Sequence, residues 1–248
     1  MAITQTAERN HDALFPDHQS TLKITDPELI EIFDNWAFDE VIEDAPLDAR
    51  LRLLVQLASL IACQSVAEFR VMLGAASRWV LRLWKELIYQ AVPYSGMAKV
   101  FDFLHATNDV FKGRGITLSL EGQSTTTRET RREKGLEVEK RLFGEQIDQM
   151  YAQSPKDQLH IQRYLSANCF GDYLTRRGLD LKTRELLTLS MLASLGGREA
   201  QLAGHVKGNL AAGNDRKLLI SVITQLLPFI GYPRALNALR IINEGAPA

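Results

Sequence analysis

Only two cysteines, Cys63 and Cys169, occur in the 248 residues. They form no CxxC pair, which excludes a disulfide framework and a thiol-ligated metal site. Glycine and proline are sparse, at 16 and 8, so collagen-like and low-complexity classes fall away. Neither sign of charge dominates: 29 Lys and Arg against 30 Asp and Glu leave a net charge of -1. Nothing global therefore favours nucleic acid or an anionic membrane as a partner. The most apolar stretch, Leu218 to Ile230, is too short for a membrane span and carries Gln225 and Pro228. The N-terminal MAITQTAERNHDALF has neither the charged start nor the apolar run of a signal peptide. A cytoplasmic protein is the expectation.

Strand signals are equally scarce. No sustained alternation of Val, Ile or Thr occurs, and no Asn-Gly or Asp-Gly hairpin turn. There is no HExxH, no G-x-S-x-G elbow and no glycine-rich phosphate loop. His11, His18, His105 and His160 are scattered without ligand-like spacing. No metal and no organic cofactor is expected.

What remains is helical. Two helix-rich blocks flank the polar stretch Glu121 to Lys134 (EGQSTTTRETRREK), which has little to bury and reads as a linker. This divides the chain into 1–120, a linker at 121–134, and 135–248. The dense basic run from Thr127 to Lys140 is interrupted by Glu129, Glu133, Glu137 and Glu139 and reads as a solvated linker and helix face.

In the second block, Asp180 or Leu181 opens a helix that stops at Gly196-Gly197. REAQLAGHVKGNLAA forms a second helix ending at Gly213. Asn214 and Asp215 are N-cap candidates for a third, which Pro228 limits. A last helix follows Gly231-Tyr232-Pro233, with Pro233 in its first turn.

The two blocks also resemble each other. DARLRLLVQLASLIAC from Asp48 parallels KTRELLTLSMLASLGG from Lys182, pairing Arg50 with Arg184. IYQAVPYSGMAKVFDFL from Ile88 parallels ITQLLPFIGYPRALNAL from Ile223, pairing Pro93 and Gly96 with Pro228 and Gly231. Trp36-Ala37-Phe38 stands where Asn168-Cys169-Phe170 does. Landmarks in one order at nearly one spacing predict an all-α tandem duplication.

On a helical wheel Leu202, Val206 and Leu210 form an apolar stripe, flanked by His205 and Asn209 one turn apart. Gly204 and Gly208 lie on the other side, where another backbone is expected to come close. Arg184 and Glu185 open the preceding helix, and Arg198 and Glu199 open the one that holds His205. A histidine among arginines and carboxylates suits proton donation near neutral pH. The aligned positions of the first block are Val71, Gln64 and Ser65, so the polar set is confined to the second.

Cys169 to Glu244 resembles the carboxymuconolactone decarboxylase family. R-E-L-L-T-L-S-M-L-A, the histidine of G-H-V-K-G-N-L-A-A-G and the P-F-I-G-Y-P-R-A-L-N-A turn carry the likeness. It implies an all-helical, alkylhydroperoxidase D-like fold, ring-forming oligomers, and cofactor-independent decarboxylation of a small carboxylated lactone in aromatic catabolism. On that likeness His205 is the proton donor, oriented by Glu185 and Glu199. Arg184 and Arg198 would grip substrate carboxylates, with Asn209 beside them. A peroxidase branch of the family carries C-x-x-C before the histidine, and here those positions are Arg198 and Gln201. A trimer or dimer is expected, because three duplicated chains supply the six units of a hexamer. The rival readings are a non-catalytic oligomeric scaffold and a thiol antioxidant acting through Cys63 or Cys169.

Overall fold

The computed structural model describes residues 2–16, 18, 20–76 and 81–247. Every regular element among them is helical. The first block contains α1 (Gln5–Leu14), α2 (Leu22–Thr25), α3 (Pro27–Asn35), α4 (Val41–Asp44), α5 (Ala49–Ala62), α6 (Val66–Ala76), α7 (Leu81–Ser95) and α8 (Met97–Gly113). The second contains α9 (Arg131–Phe143), α10 (Gln146–Gln153), α11 (Leu159–Tyr164), α12 (Leu181–Leu195), α13 (Glu199–Ala211) and α14 (Arg216–Gly245). Two wide π-helical turns, Trp36–Glu40 and Leu165–Leu174, occupy matching places before α4 and α12.

Capping explains where the central helices start. Asp48, Asp180 and Asp215 each accept a backbone N–H three residues on, opening α5, α12 and α14. Gly196 and Gly213 have positive φ beyond α12 and α13, as the sequence predicts. Pro228 does not end its helix. α14 runs through it and breaks at Gly231, where φ is 73° and ψ 167°. α7 likewise contains Pro93 and ends before Gly96, with φ 85° and ψ 143°. A mid-helix proline sacrifices one hydrogen bond, whereas these glycines reverse the sign of φ and redirect the chain.

α5 and α12 cross at the centre, where the Ser194 hydroxyl donates to Ser59 Oγ at 2.8 Å and both residues are fully buried. One apolar core spans both blocks, from Leu53, Leu57 and Trp84 to Leu187, Met191 and Ile223. Two glutamines tie the blocks crosswise. Gln90 of α7 donates to the Arg184 carbonyl at 2.7 Å and to Thr188 Oγ1 at 3.1 Å. Gln225 of α14 donates to the Ala45 and Val41 carbonyls at 2.7 and 3.1 Å. Each block therefore lends a helix to the other.

The stretch read as a linker is fixed to the second block, and its last four residues are already α9. Thr125 and Thr126 donate to the carbonyls of Thr175 and Gly171, and Arg177 N–H donates to the Gln123 carbonyl. Two of its threonines are thus spent on the π-helical turn and its end. α9 lies backbone to backbone on that turn. A Cβ on Gly135 would stand 1.8 Å from the Ser166 carbonyl, and one on Gly171 would stand 2.0 Å from the Arg131 carbonyl.

By length and composition one described helix, α14, is long and apolar enough to cross a membrane. It is broken at Gly231, and Val222, Ile223 and Leu226 pack into the core.

Candidate active site

His205 sits in the middle of α13 with its side chain 11% exposed, and its Nδ1 is 2.8 Å from Glu185 Oε2 on α12. Glu185 is completely buried, and its other oxygen has no hydrogen-bond partner. A carboxylate on Nδ1 fixes the ring and its tautomer, leaving Nε2 as the nitrogen available to a ligand. Tyr94 and Phe143 meet the imidazole edge-on, with centroids at 5.8 and 5.5 Å.

Gly208 makes room for this pair. A Cβ there would lie 2.7 Å from Glu185 Oε2 and 3.1 Å from the Phe143 ring. The neighbour on the glycine face is thus a carboxylate and an aromatic edge, not the backbone that the sequence suggested. Gly204 faces open space.

Three of the six predicted residues stand elsewhere than expected. Arg184 is wholly buried and points away from His205. Its guanidinium donates to Glu86 Oε2, Gln90 Oε1 and the carbonyls of Leu179, Arg176 and Arg177. With those donors engaged it cannot grip a substrate; it locks α12 to α7. Glu199 is exposed and accepts from Asn237 Nδ2 at 2.9 Å, so it does not orient His205. Asn209 is buried and donates to the carbonyls of Glu185 and His205, which clamps α12 to α13. Arg198 keeps its predicted place: exposed, on the wall of the cavity that His205 borders.

That cavity holds about 590 Å³. Besides His205 and Arg198, its walls include Tyr94, Glu139, Phe143 and Cys169. Burial pushes the Cys169 thiol up to about 12 and the Tyr94 phenol well above its ordinary range. Neither is a nucleophile near neutral pH. Cys63, whose thiol burial also raises, lies 3.6 Å from Arg234 Nη1, and both cysteines are free. Arg198 and Gln201, both on the cavity wall, hold the positions of a redox cysteine pair. Among the described residues no group of three or more His, Cys, Asp or Glu side chains converges as metal ligands would.

Glu139 is the residue that sequence reasoning missed. It is 1% exposed, and burial pushes its carboxyl up to about 7. Ser166 donates to its Oε2, Ser166 in turn contacts the Tyr151 hydroxyl at 2.8 Å, and Oε1 is buried without a partner. A signal was available: Gly135, Glu139, Leu142 and Phe143 share one stripe of α9, and Glu139 is its only charge.

A second cleft, of about 510 Å³, lies by α7, α8 and residues 118–123. It contains none of the predicted site residues and no histidine, and its arginines Arg82 and Arg176 are paired with Glu121 and Glu86. His205 and Arg198 line the other cavity.

The described residues thus combine an all-helical fold with a buried carboxylate–histidine pair at the edge of a largely apolar cavity. Sequence comparison relates part of the chain to a known family: residues 160–244 match the model of the carboxymuconolactone decarboxylase family. The 4-carboxymuconolactone decarboxylase of Acinetobacter baylyi is 28% identical over 117 residues, 47% of this chain and 87% of that protein. An uncharacterized 15.0 kDa protein from the nqo9-nqo10 intergenic region of Paracoccus denitrificans is 40% identical over 76 residues. That match covers 30% of this chain and 57% of the relative, little more than half its length.

Proposed function

We propose that this chain is a carboxy-lyase that needs no cofactor and acts on a small carboxylated lactone, 4-carboxymuconolactone or a close relative. The observation that carries the reading is the Glu185–His205 pair at the edge of a cavity that Arg198 also lines. A scaffold would need neither the buried carboxylate nor the space. The family match and the named relative supply the reaction class.

In the reaction the C–C bond to the leaving carboxylate breaks and CO2 departs. The electron pair delocalises to the ring carbonyl oxygen, then returns to carbon as a proton arrives from His205 Nε2. Solvent restores that proton. Glu185 stabilises the charged imidazolium before the transfer and holds its orientation after it. Arg198 pairs with a ligand carboxylate from the rim.

The same proposal includes the duplication. The order of helix, π turn, capped central helix, short helix and kinked pair recurs in both blocks. Three such chains would supply the six units of a ring, so a trimer, or else a dimer, is expected. A clean monomer by solution mass would overturn the assembly.

The test of function is turnover of 4-carboxymuconolactone by wild type and His205→Ala. Loss of CO2 release in the variant alone supports the reading, whereas an inactive wild type removes this substrate. Peroxide turnover unchanged after replacing both cysteines with serine would eliminate the thiol alternative.

A further inference from the structure

The acid–base pair just described leaves Glu139, a buried group of the cavity, without a task. Glu139 contributes a carboxyl oxygen that no residue satisfies, and a buried polar oxygen without a partner is costly. It lies one turn of α9 before Phe143, whose ring edge meets the His205 imidazole. Glu139 and His205 thus border the same space. The backbone contact at Gly135 and Gly171 holds α9 against the π turn, and Ser166 on that turn occupies Oε2. Of the two carboxyl oxygens, Oε1 is left as the one to carry a proton toward a ligand.

We infer that Glu139 serves this cavity as a neutral carboxylic acid that donates a hydrogen bond from Oε1 to the carbonyl oxygen of the bound molecule. The ligand class is thereby narrowed. It carries a carboxylate that Arg198 can pair with and, elsewhere on a small ring, a carbonyl oxygen that accepts from Glu139. Charge that develops on this oxygen as CO2 leaves is met by a donor already in place, which favours the transition state over the ground state. A carboxylic acid kept neutral near pH 7 by its surroundings is a known means to that end. The inference rests on the carboxy-lyase reading for the reaction, and on the geometry of Glu139 alone for the donor.

The groups around Glu139 are consistent with a retained proton. From the π turn it faces Ser166 and the Cys169 thiol, and through Ser166 the Tyr151 hydroxyl of α10. From α7 comes the Tyr94 phenol, and from α12 and α13 the Glu185–His205 pair. Arg198 sits on the cavity wall at the start of α13 and is solvent-exposed. Among the described residues no buried cation is paired with Glu139, and its position near 7 follows from burial offset in part by Ser166.

The test separates the donor from the reaction. The probe is a saturated γ-lactone carboxylic acid, which has both oxygens and does not decarboxylate. Infrared difference spectra should show the C=O stretch of a neutral carboxylic acid at pH 6. That band should be absent in Glu139→Gln and should shift when the probe binds wild type. Calorimetry at pH 6 should show Glu139→Met binding the probe about tenfold more weakly, the worth of one good hydrogen bond. Glu139→Gln keeps the volume, the Ser166 contact and a donor, so it should bind within about threefold, which guards against a folding artefact. No acid band, a band unmoved by the probe, no probe binding to wild type, or equal binding by the methionine variant would each overturn the inference. An acid band that shifts in a protein that does not turn over 4-carboxymuconolactone would leave Glu139 standing and remove the reaction instead.

Discussion

The His205 cavity of the second block can be set beside a much smaller one in the first. The second-block cavity holds about 590 Å³ and the first-block one about 20 Å³. Their walls correspond. Pro93 and Tyr94 close the first, and Pro228 and Phe229, at the same distance before the kink glycine, close the second. Cys169 and Phe170 on one π turn match Ala37 and Phe38 on the other. Structural landmarks also correct the alignment. Gln64 and Gly197 both have positive φ before the short helix, and counting eight residues on puts Met72, not Val71, opposite His205. Counting from the capping aspartates Asp48 and Asp180 puts Arg52, not Arg50, opposite Arg184, and Leu53 opposite Glu185. The small cavity thus has Met72 at the place where the large one has His205. The blocks remain interdependent, because Tyr94 of the first stands against His205 of the second.

The comparison breaks most sharply at the paired positions. His205→Ala should lower kcat for CO2 release on the order of 10²- to 10⁴-fold, the usual worth of a positioned acid. Met72→Ala should cost about 2–5 kcal/mol of stability as a core truncation, yet leave turnover per folded molecule unchanged. Stopped-flow turnover beside denaturant unfolding separates the two. Equal kcat losses would mean that both cavities act.

Next in size is the arginine pair. Arg184 shares Glu86 with Arg176 in a buried network, with Arg184 and Glu86 0% and 2% exposed. Arg184→Met leaves Glu86 with one partner and should destabilise by about 3–5 kcal/mol. Arg52 is nearly as buried, but its Nε finds no acceptor and burial lowers its pKa. Arg52→Met should therefore be neutral or stabilising, within about 1 kcal/mol, because it removes a buried N–H without an acceptor. Comparable losses would show that Arg52 has a partner after all.

Much of this was legible in the sequence. Capping aspartates and cap glycines gave the helix limits, since their chemistry is local. The meeting of His205 and Glu185 was readable because the two lie on consecutive helices. The partners of Arg184 were not readable, since Glu86 lies 98 residues away and nothing local announces the contact. Glu139 hid for another reason. Its helix, RREKGLEVEKRLF, is so charged that its composition speaks for solvent, and only the Gly135 contact turns one stripe inward.

Glu139 also gives the second block a pH dependence near neutrality. Its carboxyl titrates near 7 in the folded protein against an ordinary value of 4.5. Between those values the folded state binds the extra proton, so stability falls as pH rises through the window and is lowest above 7. Glu139→Gln stays neutral and should gain on wild type by up to about 3 kcal/mol between pH 5 and pH 8. Urea unfolding across that range measures it. A constant gap would mean that Glu139 is ionised throughout.

The smallest effect concerns the two glycines of α13. In a helix interior either change to alanine should stabilise by about 1 kcal/mol if nothing opposes it. At Gly204 nothing lies within 4 Å of the new methyl, so Gly204→Ala should gain that amount. It would narrow the cavity by one methyl and should alter KM more than kcat. At Gly208 the methyl would meet Glu185 Oε2 at 2.7 Å and the Phe143 ring at 3.1 Å. Glu185 must then swing off His205 Nδ1, so Gly208→Ala should lose the helix gain and lower kcat as well. The contrast lies between two positions one turn apart on one helix, which holds propensity constant and isolates the carboxylate. Thermal unfolding and kcat, measured together on both variants, decide it: if Gly208→Ala is as stable and active as Gly204→Ala, the Glu185–His205 contact is not what the glycine preserves.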